Sequence, residues 1–277
     1  MLVWRKLSSV KWLDSWQERL AFLGWDRLVT TQFADSRRVR LEIFDINEAE
    51  STILLKRFGG EVRDLKHSTA DWVRTFVLRK PISIRGRLRI VNSEPNPGTL
   101  LDIKRTIYIP ANLAFGTGEH ATTACCLRLL TDIAPRAGDW DFLDAGTGTG
   151  ILAIAASRLG AKRILAFDVD ATAIRVAKAN ARLNSTSAVK IFRADVLAYA
   201  PEGRFDIVAA NLYSDLFRKA APHLWQALKP LGKLIVSGLT RDQVENATQR
   251  IRELRGHVGL KRTRGKWVTL LAHRLDK

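Results

Sequence analysis

A glycine-rich segment in the middle of the chain is the part of the sequence with the clearest chemical meaning. The segment Asp144–Gly150 has the sequence DAGTGTG and lies between an apolar, β-rich run and a run typical of a helix. Glycine lets the backbone approach a ligand that a Cβ atom would repel, and a helix start offers unpaired N–H groups. The segment therefore predicts a nucleotide-like ligand, with a tight strand-to-helix turn without ligand as the alternative.

The spacing of the glycines limits which nucleotide could bind. Dinucleotide-binding folds have glycines at the first, third and sixth positions of their fingerprint, and the sixth position here is Ile151. A phosphate-binding P-loop is excluded because no Gly-Lys-Ser/Thr follows the glycines. The spacing thus indicates a nucleotide site of another kind.

Polar residues also stand at the ends of three further runs that the pattern predicts to be strands. Asp168 could accept hydrogen bonds from both hydroxyls of a ribose, whereas Asp170 is better explained as the N-cap of the next helix. Asp195 could reach an adenine amine or simply form a turn. Asn211 ends the fourth strand. Because open α/β sheets bind ligands at the carboxyl ends of their strands, we expect these side chains to face one crevice.

Two segments carry a family resemblance. The pattern Asp-x-Gly-x-Gly-x-Gly resembles motif I of the Rossmann-like methyltransferases, whose loop holds the amino-acid end of S-adenosylmethionine. The segment Asn112–Thr123, NLAFGTGEHATT, is similar to the Gly-Leu-Ala-Phe-Gly-Thr-Gly-x-His-x-Thr-Thr segment that precedes motif I in the PrmA family. That family comprises the lysine methyltransferases of the eleventh protein of the large ribosomal subunit. The resemblance extends over about residues 105–240.

The resemblance implies S-adenosylmethionine as the cofactor, with residues 115–118 closing over its methionine end. The alternative for Gly116–Thr123 is a plain helix-start loop capped by Thr122 or Thr123. Asn211 is the candidate catalytic residue. The candidate cofactor-binding residues are Phe115, Gly116, Thr117, Gly118, Thr123, Asp144, Gly146, Gly148, Gly150, Asp168, Asp195 and Asn211.

Departures from the family pattern concern the substrate. The family usually has Thr-His-Pro-Thr-Thr where this chain has Glu119–Thr123, so Glu119 adds an acid near the expected target amine. Leu212-Tyr213 stands where the family often has Ile-Leu. Methyltransferases that act on the amine of adenine have a double proline at this point, and its absence argues against adenine as the target.

The elements that must position these residues follow two rhythms. From about Gly138 onward, short apolar runs alternate with amphipathic runs, which predicts a Rossmann-like α/β fold with a doubly wound, mostly parallel sheet. The last residues predict an antiparallel hairpin at its edge. The first part follows the order βαββαβ, typical of a ferredoxin-like α+β domain. We predict a small substrate-recognition domain at 1–70, a linker that packs on the catalytic domain at 71–109, and the methyltransferase domain at 110–277.

Composition excludes several classes of protein. The 277 residues are 46% hydrophobic and 26% charged, as in globular proteins. No apolar run is long enough to cross a bilayer and no signal-like stretch is visible, so we expect a cytoplasmic location and no membrane partner. Cys125 and Cys126 are adjacent in an apolar run and are predicted to be buried and inert. The five histidines include no pair at ligand spacing, so no metal site is predicted.

The net charge of +17 is concentrated in two stretches without acids. These are Arg79–Arg89 and Arg255–Lys266. Such stretches attract polyanions, so rRNA contact is one interpretation and an ordinary solvated surface is the other.

Taken together, these features predict an enzyme that transfers methyl groups from S-adenosylmethionine to amino groups of a ribosomal protein of the large subunit, on lysine side chains, the N-terminus or both. One alternative is an rRNA methyltransferase that uses the same cofactor. The other is a ribosome-associated binding module whose methyltransferase fold is vestigial.

Overall fold

The chain forms two compact units, Met1–Thr75 and Phe76–Lys277. The computed structural model describes residues 2–20, 23, 28–32, 37–44, 46–64, 81–93, 95, 104–110, 116–186, 188–199 and 204–274. Within that part of the chain, no helix has the length and apolar character needed to cross a membrane.

The described residues of the first unit form a four-stranded antiparallel sheet and two α-helices. Its strand order is β2-β3-β1-β4, which is the order that a βαββαβ chain gives in the split-βαβ arrangement. Trp4, Trp16, Leu41 and Leu54 are among the residues of its core. The elements are β1 Leu2–Ser9, α1 Leu13–Arg19, β2 Leu28–Gln32, β3 Arg38–Phe44, α2 Glu48–Phe58 and β4 Glu61–Asp64.

Helix α2 begins with a capping motif that involves two polar side chains. The Asn47 side chain accepts a hydrogen bond from the Glu50 backbone N–H at 2.9 Å, and the Glu50 carboxylate accepts one from the Asn47 N–H at 3.0 Å. This reciprocal capping box satisfies two of the N–H groups that a helix start leaves without partners. Gly59, at a positive φ of 64°, ends the helix.

The second unit begins with a small three-stranded sheet, β5 Ile82–Ile84, β6 Leu88–Val91 and β7 Thr106–Tyr108. Ile84, Ile90 and Ile107 are fully buried in the same core as the main sheet. The buried Asn184 side chain accepts from the Tyr108 N–H at 2.8 Å and donates to the Tyr108 carbonyl at 2.7 Å. The described part of segment 71–109 is therefore folded into the second unit.

The main sheet of the second unit has seven strands and confirms the predicted fold class. Its order is β10-β9-β8-β11-β12-β14-β13, with β14 antiparallel to both of its neighbours and the other pairs parallel. The chain reverses its direction of winding between β8 and β11, where such sheets form a ligand crevice. The strands are β8 Asp141–Ala145, β9 Arg163–Asp168, β10 Val189–Arg193, β11 Phe205–Asn211, β12 Leu228–Thr240, β13 Gly256–Arg264 and β14 Trp267–Arg274.

Helices cover both faces of this sheet. One apolar cluster joins α3 and α4 to one face, and a second joins α6 and α7 to the other. Successive strand residues alternate between the clusters, as Ala209 and Ala210 do, because side chains alternate across a strand. The helices of the second unit are α3 Ala121–Ile133, α4 Ile151–Arg158, α5 Ala171–Leu183, α6 Ser214–Gln226 and α7 Val244–Glu253.

Candidate active site

The glycine-rich loop joins β8 to α4 at the predicted crevice. Gly146, Gly148 and Gly150 have φ values of 76°, 54° and 81°, in the region that favours glycine. A Cβ on Gly146 would lie 2.5 Å from Cδ2 of Leu212, the residue after Asn211. A Cβ on Gly150 would lie 3.2 Å from that of Ala177 on α5. The loop is thus packed closely against both β11 and α5.

Asp144 lies beneath this loop and organises it. Its side chain is buried, and Oδ2 accepts hydrogen bonds from the Thr147 hydroxyl at 2.7 Å and from the Ala153 N–H at 3.2 Å. Burial raises the pKa of Asp144 to about 7, against the lowering effect of these two hydrogen bonds. These contacts join the loop to the first turn of α4.

Asp168 connects the tip of β9 to the same loop. Its Oδ2 accepts a hydrogen bond from the Gly148 N–H at 3.0 Å, and its Oδ1 accepts one from the Asp170 N–H at 3.1 Å. Asp170 caps α5, because its side chain accepts from the Thr172 N–H at 2.8 Å, which confirms the sequence interpretation. Asp168 is half-buried at the crevice edge.

Asp195 forms a turn after β10. Its Oδ1 accepts from the Leu197 N–H at 2.9 Å, and its carbonyl accepts from the Tyr199 N–H at 2.8 Å. The residue is exposed. These hydrogen bonds form a turn, which is one of the two roles that the sequence left open for Asp195.

Asn211, at the end of β11, belongs to a polar chain that starts on α3. Its Nδ2 donates to Oγ1 of the buried Thr122 at 3.3 Å, and Thr122 Oγ1 lies 2.8 Å from Nδ1 of His120. That Nδ1 also accepts from the Thr122 N–H at 3.4 Å, so the hydroxyl donates to His120. The His120 ring meets the Trp267 ring edge-on at 5.3 Å. The chain fixes the orientation of the Asn211 amide.

The alternative of a helix-start loop at Gly116–Thr123 capped by Thr122 or Thr123 is wrong about the capping residue. The N-cap of α3 is His120, whose ring nitrogen accepts from the Thr122 N–H, so neither Thr122 nor Thr123 has that position. Both threonines instead lie within the first turn and are buried. The Thr123 hydroxyl is enclosed and has no hydrogen-bond partner among the described residues. A buried hydroxyl without a partner is costly, so this atom is a candidate for contact with a ligand.

The residues before α3 lie against the glycine-rich loop. Thr149 Oγ1 donates to the Gly116 carbonyl at 2.5 Å. Gly118 has a φ of 89°, and a Cβ there would lie 3.2 Å from Ile151. The structure therefore brings Gly116, Thr117 and Gly118 to motif I, while Phe115 lies outside the described residues.

The two cysteines lie in the core of the second unit. Cys125 and Cys126 are buried on α3, as predicted, and burial raises the pKa of Cys126 to about 12. The described part of the chain contains no cluster of three or more His, Cys, Asp or Glu side chains that could hold a metal ion.

The crevice suits a positively charged ligand. Asp144 lies one residue before the end of β8, Asp168 ends β9 and Asp195 follows β10, all at the same edge of the sheet in a chain whose net charge is +17. The charge of Asp168 also contributes to the raised pKa of Asp144. The carboxylates of Asp168 and Asp195 would attract the sulfonium and ammonium groups of S-adenosylmethionine. The residues present therefore fit that cofactor.

Sequence reasoning missed the support for Asn211. Thr122 was considered only as a cap, and His120 and Trp267 were given no role. Thr122 and Asn211 are 89 residues apart, so only the packing of α3 beside β11 brings them together. The one available signal was the presence of His120 and Thr122 in the segment that carries the family resemblance.

Comparison with known proteins gives a consistent result. The model of the family described as ribosomal protein L11 methyltransferase (PrmA) matches residues 22–275. A ribosomal protein L11 methyltransferase of Caldicellulosiruptor saccharolyticus is 34% identical over 82% of this chain and 74% of its own length. One of Bradyrhizobium diazoefficiens is also 34% identical, over 91% of this chain and 84% of its own.

A solved structure supports the same assignment. The crystal structure of a ribosomal protein L11 methylase from Lactobacillus delbrueckii subsp. bulgaricus superposes with a TM-score of 0.63 and 30% identity. The match covers 72% of this chain and 100% of that one. Because the family model covers most of the sequence and the relatives match it over most of their own length, this chain belongs to the PrmA family of ribosomal protein L11 methyltransferases.

Proposed function

We propose that this protein transfers methyl groups from S-adenosylmethionine to amino groups of ribosomal protein L11, on lysine side chains, the N-terminus or both. The PrmA family consists of S-adenosylmethionine-dependent methyltransferases, and the relatives described above carry the name of that substrate. A ribosomal substrate also agrees with a cytoplasmic location. In this proposal the first unit recognises the protein substrate and the second unit performs the reaction.

The observation that carries the proposal is the fixed orientation of Asn211 beside the glycine-rich loop. Its Nδ2 donates to Thr122, and the following residue, Leu212, lies against Gly146. With Nδ2 directed at Thr122, the amide oxygen can accept an N–H from a target amine. An amide oxygen can orient an amine in this way through a hydrogen bond without taking up its proton.

The cofactor, when bound, supplies an electrophilic methyl group on a positively charged sulfur. Gly146, Gly148 and Asp168 would hold its nucleoside and amino-acid parts, and Thr123 would contact it through its buried hydroxyl. Residues 116–118 lie over motif I, where they can exclude water from the crevice. Exclusion of water disfavours the charged form of a lysine, whose usual pKa is about 10.4, and so favours the neutral amine that attacks.

We expect Asn211→Ala to reduce turnover on ribosomal protein L11 by about 100-fold or more while cofactor affinity changes by less than about threefold. The substitution removes the group that orients the amine but leaves the glycine-rich loop intact. Thr122→Val should reproduce part of the loss, because Asn211 then loses the partner that fixes its amide. Calorimetric titration of the cofactor and transfer of labelled methyl groups would provide the two measurements. Unchanged turnover in Asn211→Ala would refute the assigned role.

The two alternatives are separated by where the label is found. Label that protease removes and nuclease spares supports the protein substrate, while the reverse result would identify an rRNA methyltransferase. A protein that binds no S-adenosylmethionine and transfers no label would be the binding module.

A further inference from the structure

The two acid-free basic stretches of the sequence meet in the second unit. Arg85 bonds Asp132 through Nε at 2.9 Å and Nη2 at 3.0 Å, and Arg262 bonds the same carboxylate at 2.9 Å. Asp132 lies in the last turn of α3, where Arg87 donates to the Thr131 carbonyl at 2.7 Å. Arg79 and Lys80 lie outside the described residues. The Asp132 carboxylate thus forms an ion pair with one arginine from each basic stretch.

The turn that carries Arg85 has an unusual backbone. Arg85 and Gly86 have φ values of 54° and 66°, and the Arg87 N–H donates to the Ile84 carbonyl at 3.0 Å. This is the two-residue hairpin turn with positive φ at both central positions, for which Asn, Asp or Gly is preferred first. An arginine held at positive φ persists only where its surroundings determine it, and such residues concentrate at functional sites.

A groove of about 380 Å³ adjoins this turn on the three-stranded sheet. Ser83, Arg89 and Thr106 are aligned across β5, β6 and β7, and Arg87 and Arg105 also line the groove. Arg89 and Arg105 are exposed, while Leu88 and Ile90 on either side of Arg89 are buried. The sheet therefore presents guanidinium groups outward and apolar groups to the core. We call Arg85, Arg87, Arg89, Arg105 and Arg262 the arginine surface.

The charge of the arginine surface is only partly balanced. The described residues of 81–93 and 104–110 contain no acid, and Asp132 is shared between two arginines. The planar guanidinium group presents donors in a fork that matches phosphate oxygens, and a serine hydroxyl such as that of Ser83 is a further common phosphate contact.

We propose that the arginine surface binds the phosphate backbone of RNA. The choice of RNA over other polyanions rests on the proposed function, because a ribosomal protein substrate is met beside rRNA. Binding of this kind positions an enzyme without reading base sequence and depends strongly on salt. The surface is separate from the crevice residues assigned to methyl transfer, so the two activities can be tested independently.

The test compares RNA affinity in three forms of the full chain by anisotropy of a fluorescein-labelled RNA hairpin, between about 50 and 200 mM salt. The first form is unmodified, and the second carries Arg89→Glu and Arg105→Glu. The third carries Arg218→Glu and Lys219→Glu, an equal change of charge on α6 at the opposite face of the main sheet. We expect the second form to bind at least about tenfold more weakly, with a salt slope smaller by about one for each arginine. The third form should retain most of the affinity.

Equal losses in the two charge-reversed forms, or no loss in the form changed at Arg89 and Arg105, would overturn the proposal. So would weaker binding of ribosomal protein L11 with unchanged RNA affinity, which would assign the surface to a protein partner. Cofactor binding and methylation of free L11 should stay normal in the Arg89/Arg105 variant, and Arg89→Gln with Arg105→Gln is the milder variant if it folds poorly. An unmodified enzyme that failed to methylate L11 but showed this RNA pattern would refute the proposed function alone.

Discussion

Asp144 has the most unusual environment of the residues in the crevice. It is 1% exposed, and burial is the largest influence on its pKa, which rises from 3.8 to about 7. A carboxyl group with a raised pKa binds its proton more tightly in the folded state than in the unfolded chain. The folded state is therefore favoured by protonation of Asp144 and disfavoured as this group ionises.

The raised pKa of Asp144 gives its contribution to stability a defined dependence on pH. Between 3.8 and about 7 the unfolded chain has lost the proton and the folded chain retains it, so the contribution of Asp144 to the free energy of unfolding falls as pH rises. The fall is at most about 1.4 kcal/mol per pH unit and ends above the folded pKa. Asp144→Asn cannot ionise and should lack this component. Urea unfolding of both forms across this range, followed by circular dichroism, measures the difference, and parallel curves would contradict it.

At the residue scale, the sequence predicted which residues lie at the crevice better than it predicted what those residues contact. Asp170 was predicted as a cap and is one. Asp144 and Asp168 were predicted to bind cofactor. In the structure, their carboxylates accept hydrogen bonds from Thr147 and Gly148 and so hold the glycine-rich loop. Such bonds depend on the close approach of separate strand ends, which the spacing of residues along the chain does not specify.

At the scale of elements, the end of β11 is held by its neighbours. The Leu212 N–H donates to the Ser237 carbonyl at 3.1 Å, and Gly238 follows with a φ of 87°. A Cβ on Gly238 would lie 2.3 Å from the Leu212 carbonyl oxygen and 2.9 Å from its carbon. These are backbone atoms next to Asn211, so the contact cannot be relieved by rotation of a side chain.

Gly238→Ala should consequently displace the Asn211 segment. We expect a loss of about 2–3 kcal/mol in stability and a fall in turnover of at least about tenfold. Gly138→Ala is a matched control, since Gly138 has nearly the same φ, 85°, but nothing within 4 Å of its added Cβ. It should cost only about 1 kcal/mol and leave turnover unchanged. Thermal unfolding and methyl transfer assays measure both effects, and equal behaviour of the two variants would show that φ, not crowding, decides the outcome.

The elements that were predicted well are those with strong periodic signals. The alternation of short apolar and amphipathic runs from about Gly138 onward corresponds to the four parallel strands from β8 to β11 and the helices between them. The sequence pattern predicted no strand at β5, β6 or β7, because these strands are only three or four residues long. Helix α3 was considered only as an alternative, since its apolar residues surround the helix and leave little periodic contrast.

At the scale of the whole molecule, acidic and basic side chains are concentrated in different parts of the second unit. The second unit has acids at the strand tips that form the crevice and arginines on the small sheet beside the end of α3. The two basic stretches are visible in the sequence, but only the folded structure shows that both reach Asp132. The family and its cofactor followed from motifs near the crevice. The individual cofactor contacts and the role of the first unit remain predictions, because a sequence pattern identifies shared chemistry more readily than a partner's surface.

The double hydrogen bond between Asn184 and Tyr108 has a consequence for motion. The Asn184 side chain, at the end of α5, makes the two backbone hydrogen bonds with β7 that a neighbouring strand would make. Opening of the small sheet must therefore also disturb a helix that packs on the main sheet. Amide hydrogens of β7 should then exchange with deuterium as slowly as those of the main sheet. Asn184→Ala should accelerate exchange at Tyr108 by about tenfold or more, as followed by mass spectrometry, while β8 stays protected. Slow exchange in that variant would show that apolar packing alone closes the small sheet.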